Sequence, residues 1–295
     1  GEIQRLSCCT NPDIAVITNI GTAHIGRLGS RRNIALAKCE IISCLKSSGV
    51  VIIPAYDDLL EEVLRKSWKG RVVKVAIEEC VSLPFSSHEK SLLSTGIGDM
   101  FLGSVDLKRS LLGVENNVFK LPIGGKHNAI NFMFALAVAR ELNIDLNQIN
   151  EFKIGTLPGR NDSCLKGGIT ILDETYNASP ESVTASLELL ASKKGRHFAV
   201  LGTMLELGEH SVSLHRQIAL LVVKLSLDGL IIVSEGTEAE VMFQETKKLP
   251  HVKIVATPEE AFPLLCSWLK PGDVVLLKAS RSIGLEKLYV LLKNY

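Results

Sequence analysis

A chain of 295 residues exceeds the usual size of one domain, and its 46% hydrophobic and 22% charged residues suit packed cores rather than disorder. The 33 basic against 32 acidic residues leave a net charge of +1, which excludes a broad nucleic-acid or membrane-attracting surface and makes any anion site a local one. Seven cysteines without repeating spacing, whose one close pair is the adjacent Cys8-Cys9, predict reduced thiols in a reducing compartment, and no apolar run reaches the ~18 residues of a membrane span.

The opening residues 1–7 have neither the apolar core of a signal peptide nor an Arg/Ser-rich transit pattern, and the chain reads as beginning inside a larger arrangement. Residues 14–18 form an apolar run that predicts a buried strand. Helical spacing follows over 33–45 through Ile34, Ala37, Ile41 and Leu45. A strand at 50–54, a helix at 57–66 and a strand at 71–76 complete the βαβαβ rhythm of a parallel sheet. From 78 to 121 that rhythm breaks into short β-like pieces, 101–107 and 118–121, which predicts antiparallel hairpins. A strong helix over 127–142 and a short one over 147–152 follow.

Residues 156–162 contain Pro158-Gly159 among polar neighbours, which is turn chemistry. The linker is placed there, giving domains 1–157 and 158–295. Beyond it, strands read at 169–172, 198–202, 230–233, 252–256 and 274–278. Helices read at 180–191, 212–225, 239–248, 258–269 and 284–292. Five strands with interposed helices predict an α/β doubly wound domain, in which ligands bind beyond the strand C-termini.

Several segments fall where such ligands would lie. His24, just after the first strand, is either a metal ligand or a helix-capping histidine. Lys38, in an otherwise apolar helical stretch, would lose its proton easily if buried and could take up CO2 as a carbamate, an oxygen ligand for Mg2+; otherwise it snorkels to water. Asn128 and Asn131, three apart at a helix start, could read an adenine edge, or Asn128 could cap the helix. Arg160 in the interdomain turn could reach a phosphate, or be a solvated linker charge. Asp173, Glu174, Tyr176 and Asn177 end a strand as a nucleotide-facing or a helix-entry loop. Lys278, Ser280 and Arg281 end the last strand, either as holders of a carboxylate or anionic intermediate or as a polar turn. There is no G-x-x-x-x-G-K-[ST] loop, no Rossmann G-x-G-x-x-G and no zinc-type C-x-x-C.

In this order the pieces resemble the Mur ligase family over nearly the whole chain. The matching stretches are Asn19-Ile20-Gly21-Thr22-Ala23-His24, Ala37-Lys38-Cys39-Glu40-Ile41, His127-Asn128-Ala129-Ile130-Asn131 and Gly159-Arg160. They continue with Asp173-Glu174-Thr175-Tyr176-Asn177-Ala178-Ser179-Pro180, then the stretch 201–208, then Lys278-Ala279-Ser280-Arg281 through Gly284-Leu285-Glu286-Lys287. Tyr-Asn-Ala, Met-Leu-Glu-Leu-Gly and the closing Gly-Leu-Glu-Lys look like the D-alanyl-D-alanine-adding branch, and the Asp-Asn-Pro-Arg motif of the diaminopimelate-adding branch is absent. The resemblance implies an incomplete central ATPase domain followed by a Rossmann-like C-terminal domain. It implies ATP-dependent amide-bond formation through an acyl phosphate, with ATP and Mg2+ as cofactors and the UDP-N-acetylmuramoyl-tripeptide and D-alanyl-D-alanine as partners, in a monomeric protein of bacterial cytoplasm or plastid stroma.

Carried over residue by residue, it makes His24 and carbamylated Lys38 the Mg2+ ligands and Asn128 and Asn131 the adenine contacts. Arg160 would touch the γ-phosphate, Asp173, Glu174, Tyr176 and Asn177 would line ribose and adenine, and Lys278, Ser280 and Arg281 would sit by the amine and the intermediate. Thr203, Glu174 and Ser179 depart from the residues common at their positions. The family's UDP-substrate domain and the P-loop opening of its ATPase domain are not in this sequence. Without that loop's amides and lysine, triphosphate binding is expected to be weak. The alternatives are another ligase of the superfamily, diaminopimelate-adding or folylpolyglutamate synthase-like, and a non-catalytic binding module. The expected outcome is that this chain by itself releases little or no ADP when given ATP, the tripeptide precursor and D-alanyl-D-alanine; a coupled ADP-release assay reads this directly, and robust turnover refutes it.

Overall fold

The computed structural model describes residues 1–80, 98–149, 155 and 157–294. They fall into two compact units, Gly1–Gly21 with Ser30–Ile154 and Thr22–Gly29 with Gly155–Tyr295. Sequence alone groups Thr22–Gly29 with the first domain; the structure groups it with the second. The reason is local: the Gly26 N–H donates to the Glu206 carbonyl at 2.9 Å. Gly26 also lies so close to Gly208 that a Cβ at Gly26 would stand 2.4 Å from the Gly208 nitrogen.

In chain order the first elements are α1 (Glu2–Thr10), β1 (Ile14–Val16), the short α2 (Ile25–Leu28) of the second unit, and α3 (Arg31–Cys39). The Ser30 side chain caps α3 by accepting the Asn33 N–H, and α3 tightens into a 3-10 turn at Glu40–Ile42, so the expected helix over 33–45 ends early. Next come β2 (Val50–Pro54), α4 (Asp58–Ser67), whose Asp57 cap accepts the Leu60 N–H at 3.0 Å, and β3 (Arg71–Glu79). β4 (Asp99–Asp106), β5 (Leu111–Val114), β6 (Asn117–Lys120) and α5 (Lys126–Glu141) complete the list. The sheet order is β1-β2-β3-β4-β5-β6, parallel through β4 and antiparallel from β4 to β6. The antiparallel turn-back of β4, β5 and β6 is the expected break in rhythm, while residues 81–97, between β3 and its parallel neighbour β4, lie outside the described ones. Of the predicted helix at 147–152, a 3-10 turn stands at Leu146–Gln148, and residues 150–152 lie outside the described ones, as does residue 156 of the predicted linker. Ile52, Val73, Phe101, Val105 and Leu112 of the sheet pack with Phe132, Met133 and Leu136 of α5 as the core.

The second unit holds β7 (Asp162–Lys166), β8 (Ile169–Glu174), α6 (Pro180–Ala191), β9 (His197–Gly202), α7 (Ser211–Lys224) and β10 (Gly229–Val233). It continues with α8 (Thr237–Thr246), β11 (His251–Val255), α9 (Pro258–Trp268), β12 (Val274–Lys278) and α10 (Glu286–Asn294). The order β11-β10-β9-β12-β8-β7 is parallel except for β7. β7 has no counterpart in the sequence reading: it is short and polar, and what makes it a strand is the Gly167-Gly168 turn, both at positive φ (56° and 77°), that folds it onto β8. Because β12 inserts between β9 and β8, the strand order reverses there, and Glu174 and Lys278 end up side by side in the parallel register. No helix of the described residues is long and apolar enough to cross a membrane.

One expectation about the cysteines is overturned. Cys8 and Cys44 are joined in a disulfide, with Cα atoms 4.9 Å apart. Their 36-residue separation gives no hint of this; α1 packs on the 3-10 turn after α3, and that packing brings the two sulfurs together. Elsewhere in the first unit Lys74, in the middle of β3, is buried beside Glu61 of α4, with Nζ 2.6 Å from the carboxylate. A charge so placed depends on its partner. Glu61→Ala is expected to cost about 3–5 kcal/mol in urea unfolding, whereas the double replacement Glu61→Leu with Lys74→Met should cost little. Equal losses in both would show that the pair does not act as a unit.

Candidate functional site

The strand-end crevice of the second unit is organised by Asp173, the penultimate residue of β8, which is buried. One carboxylate oxygen accepts the Thr175 N–H at 3.1 Å and the Thr175 hydroxyl at 2.6 Å; the other accepts the Gly159 N–H at 3.2 Å. The Tyr176 N–H in turn donates to the Gly159 carbonyl at 3.0 Å. Gly159 sits at φ +73°, and a Cβ there would stand 2.8 Å from the Tyr176 nitrogen, so the close approach requires glycine. This locks the Pro158-Gly159-Arg160 turn onto the end of β8. The Arg160 guanidinium lies 4.1 Å from the centre of the exposed Tyr176 ring, and that of Arg281 lies 5.4 Å from it. Two solvent-reaching guanidiniums around one aromatic ring make a cationic, stackable surface suited to phosphate and a planar base.

Behind that surface is a desolvated pair. Lys278 is buried, its Nζ 3.8 Å from Glu174 and donating to the Asn177 carbonyl at 3.0 Å. Burial pushes the Glu174 carboxyl above its ordinary range, with Lys278 opposing, and burial pulls the Lys278 ammonium down, with Glu174 opposing. A proton passing between them leaves the net charge unchanged. Glu174 also accepts the Asn161 N–H, and the Asn177 side chain accepts the Ala178 N–H, shaping the entry to α6. Ser280 is buried, with its oxygen accepting the Leu205 N–H at 3.1 Å.

Leu205 belongs to the loop after β9, which the sequence reading quoted but gave no role. Within it the Met204 N–H donates to Nε2 of buried His215 at 3.0 Å, whose Nδ1 faces the Ser211 carbonyl at 2.8 Å. That pairing fixes a neutral ring protonated on Nδ1, and burial holds its pKa below the usual value. Glu206, at φ +62°, accepts Gly26 N–H through its carbonyl, and its carboxylate is hydrogen-bonded to His24 Nδ1. His24 holds the Glu206 carboxyl below its ordinary range. Thr22 gives its N–H and hydroxyl to Glu181 of α6, at 2.6 and 2.8 Å. Glu181, Glu206 and His215 are thus site-shaping residues that single-residue reasoning missed. The signal available was the Met-Leu-Glu-Leu-Gly stretch itself.

The first unit carries the remaining predicted residues. Lys38 is half-buried in the last turn of α3, not buried in mid-helix, and its Nζ donates to the carbonyl and side-chain oxygens of Asn19 at 2.8 and 3.1 Å. Asn128 is buried, donating to the Gly124 carbonyl at 2.8 Å, while Asn131 one turn on is exposed, so the two carboxamides do not share one environment. A Mg2+ site at His24 and Lys38 was implied by resemblance. His24 Nδ1 is engaged by Glu206 and Lys38 Nζ by Asn19, and among the described residues no group of three or more His, Cys, Asp or Glu could hold a metal ion.

Two family models match: the Mur ligase middle domain over residues 1–139 and the Mur ligase, glutamate ligase domain over 159–281. The chain belongs to the Mur ligase family. Among its relatives, the UDP-N-acetylmuramoyl-tripeptide–D-alanyl-D-alanine ligase of Synechocystis is 34% identical over 289 residues, 97% of this chain and 59% of that protein. The enzyme of the same name from Mycobacterium leprae is 32% identical, over 98% of this chain and 60% of its own length. Among solved structures, the MurF ligase of Thermotoga maritima in complex with ADP superposes with a TM-score of 0.78 at 27% identity, over 100% of this chain and 64% of that one. The chain therefore spans about three fifths of the length of the curated relatives it matches.

His215 generates a test. Because its folded pKa is depressed, its contribution is fully present above the ordinary value of 6.5 and is lost as pH falls from there toward the folded value. Thermal melts from pH 8 to 5 should show stability falling below about pH 6.5. His215→Leu should remove that component and cost about 1–3 kcal/mol at pH 8 by orphaning the Met204 N–H. An unchanged pH profile in the variant would count against the assignment.

Proposed function

We propose that this chain supplies the nucleotide- and amine-handling parts of an ATP-dependent ligase that joins D-alanyl-D-alanine to the UDP-N-acetylmuramoyl-tripeptide during peptidoglycan precursor synthesis. The observation that carries the reading is the strand-end cluster of Arg160, Tyr176 and Arg281 over the Glu174–Lys278 pair, in a family whose matched relatives bear that enzyme name.

In this reading ATP is the nucleotide, with Mg2+ as the counter-ion carried on its phosphates. A carboxylate oxygen of the tripeptide attacks the γ-phosphorus and ADP leaves, giving an acyl phosphate. The amine of the dipeptide attacks the acyl carbon, loses a proton, and the tetrahedral intermediate collapses to the amide and inorganic phosphate. Positioning and charge compensation dominate such chemistry. Arg160 neutralises the γ-phosphate and is oriented by its stack on Tyr176. Tyr176, Asn177, Glu174 and, through the turn it fixes, Asp173 frame the ribose and base; Asn128 and Asn131 keep the adenine roles that the family resemblance gives them. Arg281 and Lys278 hold the carboxylate and the intermediate, and Ser280 fixes their approach through Leu205. His24 and Lys38, the latter as a CO2 adduct, keep the metal-binding roles that the family resemblance gives them. A cytoplasmic or plastid-stromal location and a monomeric state go with this reading.

The test is ADP release by the full gene product. Turnover should require both the tripeptide precursor and D-alanyl-D-alanine, and Arg160→Ala should lower kcat/KM by about 100-fold, or ~3 kcal/mol. Preference for glutamate or diaminopimelate over the dipeptide, or an Arg160→Ala enzyme of normal efficiency, would overturn the reading.

A further inference from the structure

Of the seven cysteines, Cys8 and Cys44 are joined and the other five stand outside any disulfide. A single bridge is not the dense disulfide framework of small secreted scaffolds. The bridge is also reachable. Cys8 is exposed on α1 and Cys44 is half-buried after the 3-10 turn, so a thiolate from solvent can approach the Cys8 sulfur. Cys39, by contrast, is buried with its thiol pushed up to about 11, which makes it a spectator.

What surrounds the bridge does not depend on it. Ser7, buried beside Cys8, donates its hydroxyl to the Ile41 carbonyl at 2.6 Å and accepts the Cys44 N–H at 3.3 Å. These bonds tie α1 to the 3-10 turn independently of the sulfur–sulfur bond. A bond that opens here finds its two sulfurs still opposed. The bridge spans the helix that carries Lys38: it ties α1 to the segment into which α3 runs.

We propose that Cys8–Cys44 is a reversible thiol–disulfide exchange site whose substrate is a dithiol reductant, and whose state sets how firmly the end of α3 and its 3-10 extension are held. One thiolate of the dithiol attacks the Cys8 sulfur, and Cys44 leaves as a thiolate that takes up a proton. The second thiol of the reductant then attacks its own sulfur in the mixed disulfide, releasing Cys8. Two electrons and two protons pass to the protein, and the reductant becomes a disulfide. The site is independent of the ligase reading and stands or falls apart from it.

The experiment is thiol counting on chain purified without reductant and equilibrated with reduced and oxidised dithiothreitol under native conditions, then acid-quenched, freed of dithiothreitol and labelled with N-ethylmaleimide in denaturant at neutral pH so that buried Cys39 also reacts. Five labels are expected in the oxidised state and seven in the reduced state, with peptide mapping linking Cys8 to Cys44. Reduction should lower Tm by roughly 5–10 °C without unfolding the chain. It should also speed amide exchange several-fold over residues 37–44, and all three changes should reverse on reoxidation. The double variant Cys8→Ser with Cys44→Ser should melt like the reduced chain and ignore dithiothreitol. Seven labels in the untreated chain, a link between other cysteines, reduction that requires denaturant, or exchange over 37–44 that is blind to redox state would each overturn the proposal.

Discussion

The Asp173 carboxylate lies almost wholly out of water, with three donors on its two oxygens: the Gly159 N–H, the Thr175 N–H and the Thr175 hydroxyl. A buried carboxylate without such partners would cost several kcal/mol, so the chain around it has little freedom. That constraint bends residues 158–160 onto the end of β8, sets Tyr176 at the rim, and leaves Arg160 to stack on its ring. The site is thus assembled by an acid that faces inward. Asp173 shapes the strand end through the turn it fixes.

The same economy governs the other polar groups of the second unit. Ser280 and His215 are buried, and each accepts one main-chain N–H of the loop after β9. That loop presents Glu206 in a left-handed conformation, at φ +62°, toward His24. A local conformation that L-residues rarely adopt is sustained here by anchors on both sides. The segment bearing His24 is reached from the first unit at Gly21 and left again at Ser30, so a continuous stretch of one unit's sequence is folded as part of the other.

Lys278 and Glu174 show how sheet topology makes chemistry. Far apart in sequence, they are register partners in adjacent parallel strands because β12 inserts beside β8. Burial acts on both in the direction of their neutral forms, and each opposes that pull on the other. In the first unit, Lys38 is directed at Asn19, two stretches of the family motif meeting through an amine and two oxygens.

Hydrophobic period and turn residues carried the βαβ units of both domains, because strands and helices covered on a buried face must repeat at two or near 3.6 residues. They also carried the motif order that marks the family, since each motif is a local run. What they could not carry are the features that depend on who becomes a neighbour after folding. β7 is polar and becomes a strand through the glycine turn that pairs it with β8. Asn128 and Asn131 are equivalent by spacing, yet only one is buried. Lys38 is apolar-flanked in sequence but half-exposed in space. Cys8 meets Cys44 across 36 residues because α1 packs on a turn that periodicity does not foretell. Local sequence determines which segments order and which side of each is apolar. Tertiary packing decides which polar groups lose water, and those groups are the ones that define this protein's chemistry.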